Sequence, residues 1–130
     1  GYARLIEENY DRARLMAELI AADPAFELMA APVMNLLAYR CIPPHLQGKV
    51  LDESDNIQVN AFTMAVQKRQ RAAGHSFVSR TQRSVARYGE QPLTLLRAVL
   101  LNPRISSADI VALLAEQKEL GKHVATELFR

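Results

Sequence analysis

An arginine inside an otherwise apolar run is the residue in this sequence best suited to chemistry. Arg97 lies within Leu93-Thr-Leu-Leu-Arg-Ala-Val-Leu-Leu101, where every other residue except Thr94 is apolar. A guanidinium among buried side chains is costly unless it is paired. Two readings follow. In one, an internal carboxylate such as Glu27 or Asp109 forms a salt bridge with it. In the other, its planar fork grips the carboxylate of a ligand through two parallel hydrogen bonds. The residues alone leave both open. The other reactive side chains offer less. His45, His75 and His123 are scattered, with none at metal-ligand spacing, and read as surface or turn histidines. Cys41 falls in a strand-like segment and reads as a small buried hydrophobe rather than a nucleophile. A single cysteine excludes an internal disulfide framework and a cysteine-based zinc site. The five glycines are isolated and cannot build a phosphate-cradling loop, and neither G-x-S-x-G nor H-E-x-x-H occurs. No self-sufficient catalytic set is visible in the chain.

The elements that must position Arg97 can be read from periodicity and punctuation. Residues 2 to about 22 predict a helix: Leu5, Ile6, Ala13, Met16, Ala17 and Ile20 recur at helical spacing, and Asp23-Pro24 ends it. Its start carries no recognisable cap, which fits a helix cut in the middle. Phe26 to Ala30 is a short apolar run punctuated by Pro32. Asn35 to Ile42 predicts a strand stopped by Pro43-Pro44, with Leu36, Ala38, Arg40 and Ile42 on one face and Leu37, Tyr39 and Cys41 on the other. After a polar connection from His45 to Glu53, a second helix runs from about Ser54 to Ala73, and Gly74 suits the left-handed position just beyond it. Ser76 to Arg87 and Leu93 to Leu101 flank a short turn at 88–92 and predict a β-hairpin. Asn102-Pro103 breaks the second strand. Ser106 then opens a third helix, with Asp109 completing a capping box and Ile105 and Ile110 a hydrophobic staple. Ile110, Leu113, Leu114, Gln117 and Leu120 form its inner stripe; Gly121 is a place for it to end or bend, and continuation of the last residues as helix is the other course. The order is helix, two strands, helix, hairpin, helix. It predicts an α+β fold: a small antiparallel sheet covered on one side by helices.

Composition sets the remaining limits. The chain has 130 residues, of which 49% are apolar and 23% charged, so one ordinary globular domain is expected. No uncharged apolar run approaches the ~18 residues of a membrane span. Glu7 and Glu8 stand where the apolar core of a signal peptide would have to lie. The formal net charge is +2, but it is uneven. Lys68, Arg69, Arg71, Arg80, Arg83, Arg87, Arg97 and Arg104 face a single acid, Glu90, between positions 68 and 104. Such a block suits either a binding surface for nucleic acid or an acidic protein, or a solvated face whose acidic partners lie elsewhere. No aromatic residues interleave with the basic ones as an RNA-stacking strand would require.

Two stretches, in their order and spacing, carry a family resemblance. The first is Phe26-Glu-Leu-Met-Ala-Ala-Pro-Val-Met-Asn-Leu-Leu-Ala-Tyr-Arg-Cys-Ile42. The second is Gly74-His-Ser-Phe-Val-Ser-Arg-Thr81, followed by Leu95-Leu-Arg-Ala-Val-Leu-Leu-Asn-Pro103 and the helix start Ser106-Ser-Ala-Asp-Ile110. Together they resemble the C-terminal small domain of the group II pyridoxal-5′-phosphate (PLP) decarboxylases, which belong to the fold-type I PLP enzymes. Gly1-Tyr-Ala-Arg-Leu-Ile6 and Leu15-Met-Ala-Glu-Leu-Ile20 look like the long helix leaving that family's large domain. The resemblance implies that residues 1–24 are the end of this linking helix and residues 25–130 the small domain. It further implies a cytoplasmic homodimeric carboxy-lyase that removes the α-carboxylate of an acidic or diamino acid. PLP would be held by the large domain, and the small domain would complete the substrate pocket while being inactive alone. None of Lys49, Lys68, Lys118 or Lys122 has the His-Lys context of the family's Schiff-base lysine. Leu96-Arg97-Ala-Val-Leu-Leu-Asn-Pro103 fits the family pattern whose arginine clamps the substrate carboxylate, so the resemblance favours the ligand reading of Arg97.

Overall fold

A computed structural model describes residues 2–33, 36–74, 78–100, 102 and 104–129. Expectations that fall on His75, on the strand starts at Asn35, Ser76 and Phe77, and on Leu101 and Pro103 lie outside these residues. Helix α1 spans Tyr2–Ala21, and its inward residues Ala13, Met16, Ala17 and Ile20 are buried at i, i+3, i+4, i+7 spacing. The side chains of residues 1–10, Leu5 and Ile6 among them, lie outside the described set. After Pro24 the chain enters strand β1, Phe26–Val33, which pairs antiparallel with β2, Leu36–Cys41. β1 therefore runs past the apolar run seen in the sequence and through Pro32. An edge strand can accommodate that proline because one row of its backbone groups has no ladder partner. The register of this pair shifts twice, between Leu28 and Ala30 and between Ala30 and Val33.

Helix α2, Glu53–Ala73, begins one residue before the position expected from sequence. Asp52 is its N-cap and Asp55 returns the bond, so two acids form the capping box at the end of the polar connection. Gly74 takes the left-handed conformation at φ 82°, as expected of its position. The hairpin follows as β3, Val78–Ser84, and β4, Pro92–Val99. Here β3 stops at Ser84, short of the predicted Arg87, because residues 86–88 turn into a short 3-10 segment. Helix α3, Ser107–Leu128, has the predicted capping box of Ser106 and Asp109.

The sheet order is β1-β2-β4-β3, wholly antiparallel. The three helices share one apolar core with one of its faces: Ala13, Met16 and Ile20 of α1, Phe62 and Val66 of α2, and Ile110, Leu113 and Leu114 of α3 meet Leu37, Tyr39, Leu96 and Ala98. This is the predicted α+β arrangement. A buried polar chain ties the layers together: the Tyr39 hydroxyl donates to Gln117 Oε1 (2.8 Å), Gln117 Nε2 donates to Gln70 Oε1 (2.8 Å), and Gln70 Nε2 donates to the Leu113 carbonyl (3.3 Å). Each side-chain amide is thereby satisfied inside the core, which fixes how α2 and α3 sit on β2.

Gly121 does not end α3. The helix continues to Leu128, and a Cβ at position 121 would stand 3.0 Å from the tip of the Phe62 ring. The glycine lets α2 and α3 approach, and this packing outweighs its poor helix propensity. Gly121→Val should therefore cost about 2 kcal/mol by overpacking, read as a lowered urea midpoint with an unchanged m-value.

Candidate functional site

The face of the sheet turned away from the helices carries the candidate site. In β4, Leu96 and Ala98 face the core, so Arg97 points the other way, and it is exposed. The expectation of a buried guanidinium is thus corrected. The apolar run from 93 to 96 reflects cover on both sides of the sheet at that end, with Leu93, Leu95 and Leu96 all buried, and Arg97 lies where the outer cover stops. Its cross-strand neighbours are Ala38 of β2 and Ser79 of β3, both small. Neither proposed internal partner meets it. Glu27 is engaged by other residues, and Asp109 closes the α3 cap. Among the described residues no carboxylate pairs with the Arg97 guanidinium. The fork is open to a ligand.

Sequence reasoning missed a second cluster on the same face. Glu27 of β1 stands directly opposite Arg40 of β2. Its Oε1 accepts from Arg40 Nε at 2.6 Å, and Arg40 Nη2 lies at 2.6 Å from the same oxygen. Its Oε2 accepts from the Tyr88 hydroxyl at 2.7 Å and from Arg87 Nη1 at 2.9 Å. The Tyr88 ring lies over the Arg40 guanidinium, 4.7 Å from carbon to ring centre. One carboxylate thus holds donors from β2 and from the β3–β4 connection. Partial burial, together with the hydrogen bond to Glu27, pushes the Tyr88 phenol above its usual pKa. Arg40 is fully buried, and its Nη1 has no hydrogen-bond partner among the described residues. The signal in the sequence was the placing of Glu27 and Arg40 on either side of the β1–β2 turn, legible only once the register is known.

The remaining candidates do not converge on a reaction centre. His45 is exposed, hydrogen-bonded through Nε2 to Gln58 Oε1 (2.6 Å), with its ring edge-on to Phe129. His123 is exposed on α3. No group of His, Cys, Asp and Glu among the described residues is arranged to hold a metal ion. Cys41 is buried as expected, and desolvation pushes its thiol up to about 12. It should resist a disulfide reagent at neutral pH in the folded protein and react as one thiol in denaturant, a colour assay that reads burial directly. Lys49, Lys118 and Lys122 pair with Asp55, Asp23 and Glu119, and Lys68 is exposed. The basic block is dispersed: Arg69 pairs with Glu127 of α3 and Arg87 with Glu27 of β1, while Arg80 and Arg83 lie on the β3 edge strand. No helix among the described residues is long and apolar enough to cross a membrane.

An open sheet face backed by three helices, with an arginine that has no carboxylate partner among the described residues, defines the class as a small α+β domain. The comparisons bear on that class directly. No protein-family model matches the chain. Aspartate 1-decarboxylase of Aliivibrio fischeri is 33% identical over 127 residues, covering 93% of this chain and 23% of the relative. The crystal structure of mouse CSAD in apo form superposes with a TM-score of 0.79 at 24% identity, over 91% of this chain and 24% of that one. The glutamate decarboxylase domain of diaminobutyrate-pyruvate transaminase and L-2,4-diaminobutyrate decarboxylase from Vibrio parahaemolyticus superposes with a TM-score of 0.68 at 18% identity, over 92% of this chain and 22% of that one. The chain has the fold of the C-terminal small domain of the group II PLP-dependent amino acid decarboxylases, and its similarity in sequence is to an amino acid decarboxylase as well. It spans about a quarter of the length of these relatives.

Proposed function

We propose that this chain is the substrate-pocket-completing domain of a PLP-dependent amino acid decarboxylase. The observation that supports this most is the 33% identity to aspartate 1-decarboxylase across 93% of the chain, joined to the shared fold. Residues 1–24 are the end of the helix linking to a large domain, and residues 25–130 are the small domain. The whole protein is a cytoplasmic homodimer, and the small domain packs against its own large domain. PLP is held in the large domain, where it acts as the electron sink once the α-carboxylate has left as carbon dioxide. Without that domain the chain is inactive.

Arg97 is the substrate-binding residue. It is exposed on the outer face of the sheet, flanked by small residues, and paired with no carboxylate among the described residues, as a bidentate grip on a ligand carboxylate requires. The charge of the face favours an acidic substrate over a diamino acid. Arg97, Arg40, Arg83 and Arg87 stand on or beside it, with Glu27 the acid among them. An acidic amino acid carries a net negative charge at neutral pH and a diamino acid a net positive one, so the field attracts the first and repels the second.

The coding sequence preceding Gly1 tests the reading. A decarboxylase large domain of roughly 300 residues, carrying a His-Lys pair for the Schiff base, is expected there. An upstream region without that pair would overturn it.

A further inference from the structure

The buried arginine beside Arg97 carries an inference that rests on the decarboxylase reading and deepens it. Arg40 is fully buried; Glu27 Oε1 accepts from its Nε and lies 2.6 Å from its Nη2, while among the described residues Nη1 has no partner and Nη2 no well-directed hydrogen bond. An unmet donor on a buried guanidinium is costly, and native structures seldom keep one without a use. Arg40 also lies on the outer face of the sheet. Ala38 stands opposite Arg97, and Arg40 is the next residue of β2 on that face, so the two arginines are diagonal neighbours.

What covers Arg40 is a short segment held by few contacts. The Tyr88 ring lies over it, carried by a 3-10 segment, Ala86–Tyr88, that has no buried residue. That segment is fastened to the sheet by two contacts to one carboxylate oxygen, from Tyr88 and from the exposed Arg87. Lifting the cover breaks the Tyr88 hydrogen bond to the Glu27 carboxylate, one exposed ion pair and the ring contact over Arg40, a cost that a second anionic group on Arg40 has to offset. It leaves the Glu27–Arg40 pair intact.

We propose that Arg40 is a second anion contact of the substrate face, bared when Tyr88 moves aside. Nη1 of Arg40 takes the side-chain carboxylate of an acidic substrate, while Arg97 holds the other carboxylate. Glu27 keeps Arg40 charged and oriented throughout. Specificity for a doubly anionic ligand then comes from this domain as well as from the rest of the enzyme.

Competitive inhibition of the full-length holoenzyme by succinate and by its half-amide, succinamate, is the test. The two differ in one carboxylate. Arg40→Lys keeps a cation for Glu27 but removes the third arm. It should weaken succinate about tenfold while moving succinamate less than twofold. Tyr88→Phe removes one of the two fastenings to Glu27 and leaves the Glu27–Arg40 pair untouched. It should tighten succinate two- to fivefold and leave succinamate unchanged. Equal losses for both inhibitors in Arg40→Lys, or no change in either variant, would overturn the proposal and leave Arg40 as a purely structural pair. If Arg40→Lys fails to fold, the Tyr88→Phe ratio decides alone. A wild-type protein that decarboxylates no amino acid would instead overturn the decarboxylase reading, and this proposal with it.

Discussion

Arg97→Ala in the full-length protein is expected to lower kcat/KM by about 2–3 kcal/mol, roughly 30- to 150-fold, the scale of a lost charged hydrogen bond in a ligand grip. The argument is geometric. Arg97 projects from β4 on the face opposite the helices, between Ala38 and Ser79, and no carboxylate among the described residues pairs with it. Because the side chain is exposed, the substitution should change stability by less than about 0.5 kcal/mol. A thermal melt alongside the kinetics separates the two effects. Arg97→Lys should recover part of the loss, since a point charge remains but the fork does not. Unchanged kinetics in a folded Arg97→Ala protein would rule out the grip.

The second large effect concerns stability. Glu27→Ala should cost about 3 kcal/mol, measured by urea unfolding. Removing one partner of a buried ion pair leaves an uncompensated charge, and such losses run at about 3–5 kcal/mol. Arg40 is fully buried, but the Glu27 side chain is 20% exposed, so water screens part of the loss and the lower end applies. The same substitution frees Tyr88 and Arg87, so amide exchange across residues 85–91 should quicken as well. A cost under about 1 kcal/mol would mean that Arg40 finds water once Glu27 is gone.

Much of the fold could be read from the chain because local signals agreed with one another. α1 and α3 follow from helical spacing, and Ser106 with Asp109 marks the α3 start as the structure has it. The hairpin follows from two strand-like runs around a turn. What could not be read depends on contacts distant in sequence. Pro32 hid the length of β1, because whether a strand tolerates proline depends on its lying at the sheet edge. Gly121 leaves an end, a bend or a continued helix open in the sequence, because the Phe62 ring that it accommodates belongs to another helix.

The site shows the same division. Arg97 stood out by type, but its burial was misjudged. Alternation fails as a guide where a strand is covered on both faces, and Leu93 to Leu96 are covered while Arg97 is not. Glu27 was named as a partner for the wrong arginine. The two-residue offset that gives it to Arg40 is set by the β1–β2 register, which the double shift between Leu28 and Val33 makes hard to count from the turn.

The most direct measurement of the central claim is carbon dioxide release by the full-length protein loaded with PLP and offered acidic and diamino acids in turn. Release from an acidic amino acid, lost on removing PLP and reduced about 30- to 150-fold in kcat/KM by Arg97→Ala, is the predicted result. A folded, PLP-loaded protein that releases carbon dioxide from neither class would contradict the account.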